Sequence, residues 1–69
     1  MRWKLFEIDN EQMLVTYDGN ELIFELDHEG MTIKMSFSTG EEYTEEEFVK
    51  NVTYESCSKM RDHMLSQFS

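Results

Sequence analysis

Apolar and polar side chains alternate along residues 21–27, where the chain reads ELIFELD. As a β-strand, this stretch turns one side toward a core and presents a row of mostly acidic side chains on the other side. The apolar side consists of Leu22, Phe24 and Leu26, and the opposite side consists of Glu21, Ile23, Glu25 and Asp27. The pattern therefore predicts a half-buried strand whose exposed side carries carboxylates.

Three further stretches have the composition of strands, and turn-forming residues separate all four. The breaks contain Asp9-Asn10, Asp18-Gly19-Asn20 and His28-Glu29-Gly30, which are typical of tight hairpins. We therefore predict an antiparallel meander of four strands, over residues 2–8, 12–18, 21–27 and 31–38. In the first strand, Trp3 and Leu5 compete with Phe6 and Ile8 for the buried side, and the pattern leaves both faces open as alternatives.

The period of the pattern changes after residue 44. Thr44 followed by Glu47 is a capping box, and acidic residues in a first turn favour the positive end of the helix dipole. Apolar residues then recur at spacings of three and four, except across residues 53–56, where Thr53 could cap a second helix. We predict helix over residues 45–67, either continuous or kinked near residues 51–54.

Packing that helix on the apolar face of the sheet gives an α+β fold in a single domain of residues 1–69, with the β-meander over residues 2–38. A sheet covered on one side leaves its other side in water. A chain of 69 residues can hide only part of its apolar area, so pairing into a homodimer would cover more of it. Trp3 and Tyr54 fit the core pattern less well and could anchor an interface.

The charge of the chain is large and unevenly placed. The formal net charge is −9, and residues 5–47 hold 13 acidic residues against one basic residue, Lys34, a net charge of −12 for that span. Soluble surfaces usually intersperse both signs, because a field of one sign destabilises the fold through self-repulsion. We expect nucleic acid to be a poor direct partner, because phosphates require Lys and Arg, and a basic protein surface to be a good one.

Other features narrow the class of function. One cysteine, Cys57, allows no intrachain disulfide, and the amino terminus lacks the order of a signal peptide, so we expect a cytoplasmic protein. Its apolar runs fall far short of the roughly 20 residues that span a bilayer, so we expect no membrane association. Cys57 and His63 lie about 600° of helical rotation apart, on different sides. With no CxxC or HExxH motif either, we expect no enzyme, cofactor or metal site.

The spacing of the carboxylates suggests a target. Alternate strand positions lie roughly 6.6 Å apart, and the charges of one DNA strand advance about 3.4 Å per nucleotide, so the row is similar to a thinned line of phosphates. In size, acidity and lack of disulfides, the chain resembles the small acidic inhibitors encoded by bacteriophages and mobile elements. That resemblance implies a DNA mimic that occupies the nucleic-acid-binding surface of a host protein, such as a histone-like HU protein, uracil-DNA glycosylase, a restriction enzyme or a CRISPR effector nuclease. A histone-like HU or nucleoid-type protein is the favoured target, because a broad basic surface that ignores base sequence demands the fewest specific contacts.

The predicted partner-binding residues are the carboxylates of the sheet face and its turns, followed by those near the helix start. The first group is Glu7, Asp9, Glu11, Glu21, Glu25, Asp27 and Glu29, and the second group is Glu41, Glu42, Glu45 and Glu46. An alternative function is a generic protein–protein interaction module, or a small assembly or antitoxin-like subunit, whose acidity serves solubility.

Overall fold

The computed structural model describes residues 2–39 and 44–68. Its elements in chain order are β1 (Arg2–Ile8), β2 (Glu11–Asp18), β3 (Glu21–His28), β4 (Met31–Ser38), α1 (Glu45–Asn51) and α2 (Tyr54–Phe68). The strands form one antiparallel sheet in the order β1-β2-β3-β4. The predicted meander followed by helix on one sheet face is confirmed, with β2 starting one residue earlier and β3 ending one residue later than predicted.

Each hairpin has a two-residue turn that the local sequence favours. Asp9 and Asn10 have φ angles of 52° and 66°, and Glu29 and Gly30 have φ angles of 50° and 79°. Positive φ at both central positions is typical of type I′ turns, whose twist matches that of the flanking strands. Asn, Asp and Gly tolerate this backbone best, so three of these four positions match the turn by residue type.

The core lies between the sheet and the two helices. Its buried members are Ile8, Met13, Val15, Phe24, Leu26, Phe48, Val52, Cys57 and Met64. Phe6 packs against this cluster and lies opposite Met13, so Phe6 and Ile8 belong to the covered face of β1. Trp3 and Leu5 therefore point to the other face, where they are 65% and 52% exposed. This decides the alternative that the sequence pattern left open for the first strand.

The helical part consists of a short helix and a longer one, which is the second of the two predicted arrangements. Thr44 caps α1, because its Oγ1 accepts a hydrogen bond from the backbone N–H of Glu47 at 3.1 Å. Thr53 caps α2 in the same way, with its Oγ1 accepting from the N–H of Ser56 at 3.2 Å. The break between them directs Val52, which is 3% exposed, into the core.

Two basic side chains of β1 join the sheet to α1. Lys4 Nζ donates to the backbone oxygens of Val49 and Val52, at 3.2 Å and 2.7 Å, where the carbonyls at the end of α1 lack helical partners. The same ammonium lies 5.5 Å from the centroid of the Phe48 ring. Arg2 pairs with Glu45 in the first turn of α1. Lys4 therefore acts as a cationic cap at the negative end of this short helix.

Replacing Lys4 with Met tests this cap, because Met keeps most of the apolar stem and removes the ammonium. We expect the free energy of unfolding of Lys4→Met to fall by about 1.5–3 kcal/mol, the range for hydrogen bonds to charged groups. Urea denaturation measures this free energy of unfolding. The control is Lys50→Met, at an exposed position of the same helix, where a change within about 0.5 kcal/mol is expected. Equal losses in the two variants would contradict the capping role.

Candidate protein-binding face

The sheet side that faces away from the helices, here called the open face, is built from alternate residues of all four strands. The pairing of the strands sets its side chains in rows. One row is Trp3, Thr16, Ile23 and Ser36, and the next is Leu5, Leu14, Glu25 and Lys34. Two pairs lie beside the second row: Glu7 is opposite Gln12, and Asp27 is opposite Thr32. Beside the first row, Glu21 lies between Asp18 on β2 and Ser38 on β4.

The open face has one dominant sign of charge. Its five carboxylates are Glu7, Asp18, Glu21, Glu25 and Asp27. One basic residue, Lys34, shares this face and lies directly opposite Glu25 on the neighbouring strand. The net charge of the face is therefore −4. The predicted row of carboxylates on β3 lies here, although Ile23 separates Glu21 from Glu25.

An apolar patch, formed by Trp3, Leu5, Leu14 and Ile23, lies among these carboxylates. Leu5 and Leu14 are direct cross-strand neighbours, and Thr16 connects Trp3 with Ile23 across β2. Beside the patch is a shallow depression of about 150 Å³, lined by Leu5, Gln12, Leu14, Glu25 and Asp27. The open face thus combines apolar contact area with a carboxylate rim, an arrangement found at protein interfaces.

Two of the predicted contact residues, Asp9 and Glu11, are used within the fold. Arg61 Nη2 lies 2.5 Å from Glu11 Oε1, and Arg61 Nη1 lies 3.2 Å from Asp9 Oδ2. The carboxylate of Glu11 also contacts His28 Nδ1, at 2.8 Å from Oε1 and 2.7 Å from Oε2. These four residues, the Glu11 cluster, link α2 to the β1–β2 turn and to the end of β3. Glu11 therefore stabilises the helix-covered side rather than the open face.

The contacts within the Glu11 cluster favour the charged form of the Glu11 carboxylate. The hydrogen bond from His28 and then the hydrogen bond from Arg61 lower the pKa of Glu11 below its ordinary value of 4.5. Arg61 is buried, with a relative exposure of 9%, and its Nε has no hydrogen-bond partner within residues 2–39 and 44–68. A buried guanidinium is costly without anionic partners, and Glu11, the less exposed of its two carboxylate partners, offsets most of that cost.

The remaining predicted contact residues are dispersed. Glu29 occupies the β3–β4 turn and is highly exposed, with its carboxylate 3.9 Å from His28 Nε2. Glu45 is paired with Arg2, and Glu46 is exposed in the first turn of α1. Glu41 and Glu42 lie outside the described residues. Of the predicted set, the open face brings together Glu7, Glu21, Glu25 and Asp27.

Sequence reasoning missed Asp18 and the apolar patch. The signal for Asp18 was present, because Asp18 has the same parity as Gln12 and Leu14 in an alternating strand. Leu14 lies between the buried residues Met13 and Val15. In such a run of three apolar residues, the sequence does not show that Leu14 faces outward. Assigning Trp3 and Leu5 to the same face as Leu14 required the strand register.

Cys57 and the possible metal ligands were the other candidates for chemistry. Cys57 is fully buried, and burial raises the pKa of its thiol, which disfavours the reactive thiolate. Within residues 2–39 and 44–68, no three His, Cys, Asp or Glu side chains are grouped to hold a metal ion. Over the same ranges, no helix has both the length and the apolar character that crossing a bilayer requires.

No protein-family model, curated protein or solved structure matches this chain.

The Glu11 cluster should make stability depend on pH. Because the pKa of Glu11 is lowered in the fold, its contribution is present above the unfolded-state value near 4.5 and is lost as the pH falls through the lower folded-state value. We expect Glu11→Gln to be less stable than the parent at pH 7 and the difference to shrink toward pH 3. Urea unfolding at both pH values measures it. Glu7→Gln, at an exposed position of β1, is the control, and an undiminished Glu11→Gln difference at pH 3 would refute the linkage.

Proposed function

We propose that this chain is an acidic DNA-mimic protein, whose open face binds the basic nucleic-acid-binding surface of a DNA-binding protein and keeps DNA from it. The observation that carries the proposal is the segregation of charge between the two sides of the sheet. Five carboxylates share the open face with a single basic residue, Lys34, whereas Arg2, Lys4 and Arg61 are engaged on the covered side.

The covered side accounts for three of the six basic residues. Lys4 caps α1, Arg2 pairs with Glu45, and Arg61 is enclosed by the carboxylates of Asp9 and Glu11. These contacts hold the helices in place, so the three cations cannot neutralise the open face. A net charge of −4 on a sheet surface with Lys34 as its cation supports attraction to a surface rich in Lys and Arg.

The spacing of the carboxylates also supports mimicry of a nucleic-acid backbone. Glu25 and Asp27 lie two positions apart on β3, which corresponds to about 6.6 Å of strand rise. Glu7 lies two strands away from Asp27, at about 10 Å. Asp18 and Glu21 are directly opposite each other on neighbouring strands. A Lys or Arg side chain that normally contacts a phosphate can bind a carboxylate instead, since both groups accept charge-assisted hydrogen bonds.

The favoured target is a histone-like HU or other nucleoid-type protein of a bacterial host. Such proteins bind DNA through a broad basic surface with little dependence on base sequence, so a mimic needs the charge distribution more than particular contacts. This target suits an inhibitor encoded by a phage and acting in the host cytoplasm. The proposed interface would use no cofactor, and this chain would not contact nucleic acid directly.

The apolar patch favours a second candidate function, a generic protein–protein interaction module. Trp3 is 65% exposed at one edge of the sheet, and exposed Trp residues often anchor interfaces. A complex made mainly through Trp3, Leu5 and Leu14 should resist salt and should not be displaced by DNA. A charge-mimicking complex should weaken steeply with ionic strength, because screening acts on its exposed charges.

Charge reversal on β3 tests the proposed function. The double variant Glu25→Lys/Asp27→Lys should lose about 1–2 kcal/mol of stability and stay folded, because Glu25→Lys places an ammonium opposite Lys34 and Asp27→Lys removes the acceptor of the Thr32 hydroxyl. Its affinity for purified HU protein should fall about 100-fold, because each site loses an attraction and gains a repulsion. Titration calorimetry at low and high salt measures the affinity, and duplex DNA should compete with the parent chain.

The matched control reverses two exposed carboxylates of α2, in Glu55→Lys/Asp62→Lys, which changes the net charge by the same amount on the helical side. Lys50→Glu/Lys59→Glu, which adds acid outside the open face, should leave the affinity unchanged or slightly improved. Equal weakening by the β3 and α2 double variants would reject the open face as the site. If HU protein does not bind, capture from a bacterial lysate with and without duplex DNA tests the wider target class.

A further inference from the structure

The outer strand β4 is an exposed and poorly covered edge of the sheet. It follows β3 at the end of the strand order, and none of its eight residues is buried. On its helix-facing side Ile33 and Met35 pack against the core, while Met31 and Phe37 remain 47% and 36% exposed. Exposed apolar residues on an edge strand favour pairing with another strand.

The backbone of β4 has hydrogen-bonding groups available for such pairing. In a two-residue hairpin, the residues that flank the turn bond to each other, so Met31 and every second residue after it point their N–H and C=O groups toward β3. The bond from the N–H of Thr39 to the oxygen of Asn20, at 2.7 Å, agrees with this phase. The backbone groups of Thr32, Lys34 and Ser36 consequently point outward, away from β3.

The charge of β4 identifies the strand that would pair with it. Every other strand of the sheet contains at least one carboxylate, whereas the single charged residue of β4 is Lys34. The chain has a net charge of −9, so two copies repel each other in general. Two β4 strands could pair without placing carboxylates opposite each other. We propose that β4 pairs antiparallel with β4 of a second copy of this chain, forming a homodimer with a continuous eight-stranded sheet.

The side chains of β4 select one two-fold register. Centring the pair on Met35 places Ile33 opposite the partner's Phe37 on the helix-facing side, and Lys34 opposite the partner's Ser36 on the open face. Centring it on Lys34 would place two lysines opposite each other, which is unfavourable. A shift by one residue would oppose side chains of different faces. Centring the pair on Ile33 or Ser36 would match faces but would pair five residues of each strand, whereas the Met35 register pairs seven. The Met35 register has none of these defects, and it covers the exposed ring of Phe37.

This inference does not depend on the proposed function, although it bears on the open face. In the dimer, the two open faces would lie side by side on one surface. Three inter-strand spacings would separate β3 from the partner's β3, about 14 Å. A dimer of this kind would present two acidic faces in a fixed relation.

Substitutions at Ser36 test the dimer, because the Met35 register and general charge repulsion predict opposite changes in its dissociation constant. Ser36→Glu would place a carboxylate opposite the partner's Lys34 twice per dimer, and Ser36→Lys would place an ammonium there. We expect Ser36→Glu to tighten the dimer and Ser36→Lys to weaken it, each by about 2-fold to 30-fold in dissociation constant, the range that two cross-strand pairs provide. General repulsion predicts the reverse, because Glu adds to the negative charge of the chain.

Sedimentation equilibrium measures the dissociation constants, and circular dichroism confirms that each variant is folded. The controls are Gln12→Glu and Gln12→Lys, which change the net charge equally at an exposed open-face position of β2, away from the β4 edge. They should follow general repulsion. A parent chain that stays monomeric at millimolar concentration would overturn the proposal. Ser36 variants that follow the Gln12 variants would overturn it as well.

Discussion

Arg2, Lys4 and Arg61 join the sheet to the helices, and the charge of the other surfaces follows from that allocation. α1 has only seven residues and would be marginal alone, so its carboxyl end depends on Lys4 of β1. Its start has the Thr44 cap and the exposed ion pair of Glu45 with Arg2. Arg61 ties α2 to the β1–β2 turn through two carboxylates. With these cations engaged on one side, the opposite side of the sheet keeps its carboxylates largely uncompensated.

Local signals made most of the fold predictable from the sequence. The turns at Asp9-Asn10 and Glu29-Gly30 lie between alternating stretches, so the strand number and order could be inferred without long-range information. Thr44 and Thr53 likewise marked the helix starts, because a hydroxyl that accepts a first-turn N–H is a local interaction. The structure selected between the continuous and the interrupted helix, which indifferent helix formers at residues 52–54 had left open.

The composition of the open face could be predicted only in part, because it depends on register and on contacts distant in sequence. The carboxylates of β3 were visible as an alternating row, but their neighbours Leu5 and Leu14 come from other strands. Arg61 lies 50 residues from Glu11, so no local pattern indicates that this carboxylate is used internally. The face is therefore more apolar, and its acidic set smaller, than the charge pattern alone indicated.

We propose that the open face, and not the helical side, meets a basic DNA-binding surface. The most direct measurement is two-dimensional NMR of the isotope-labelled chain with its captured partner, recorded before and after addition of duplex DNA. We expect chemical-shift changes of open-face residues on β2 and β3 that revert when DNA displaces the partner. Shifts confined to α2, or open-face shifts that persist in the presence of DNA, would contradict it.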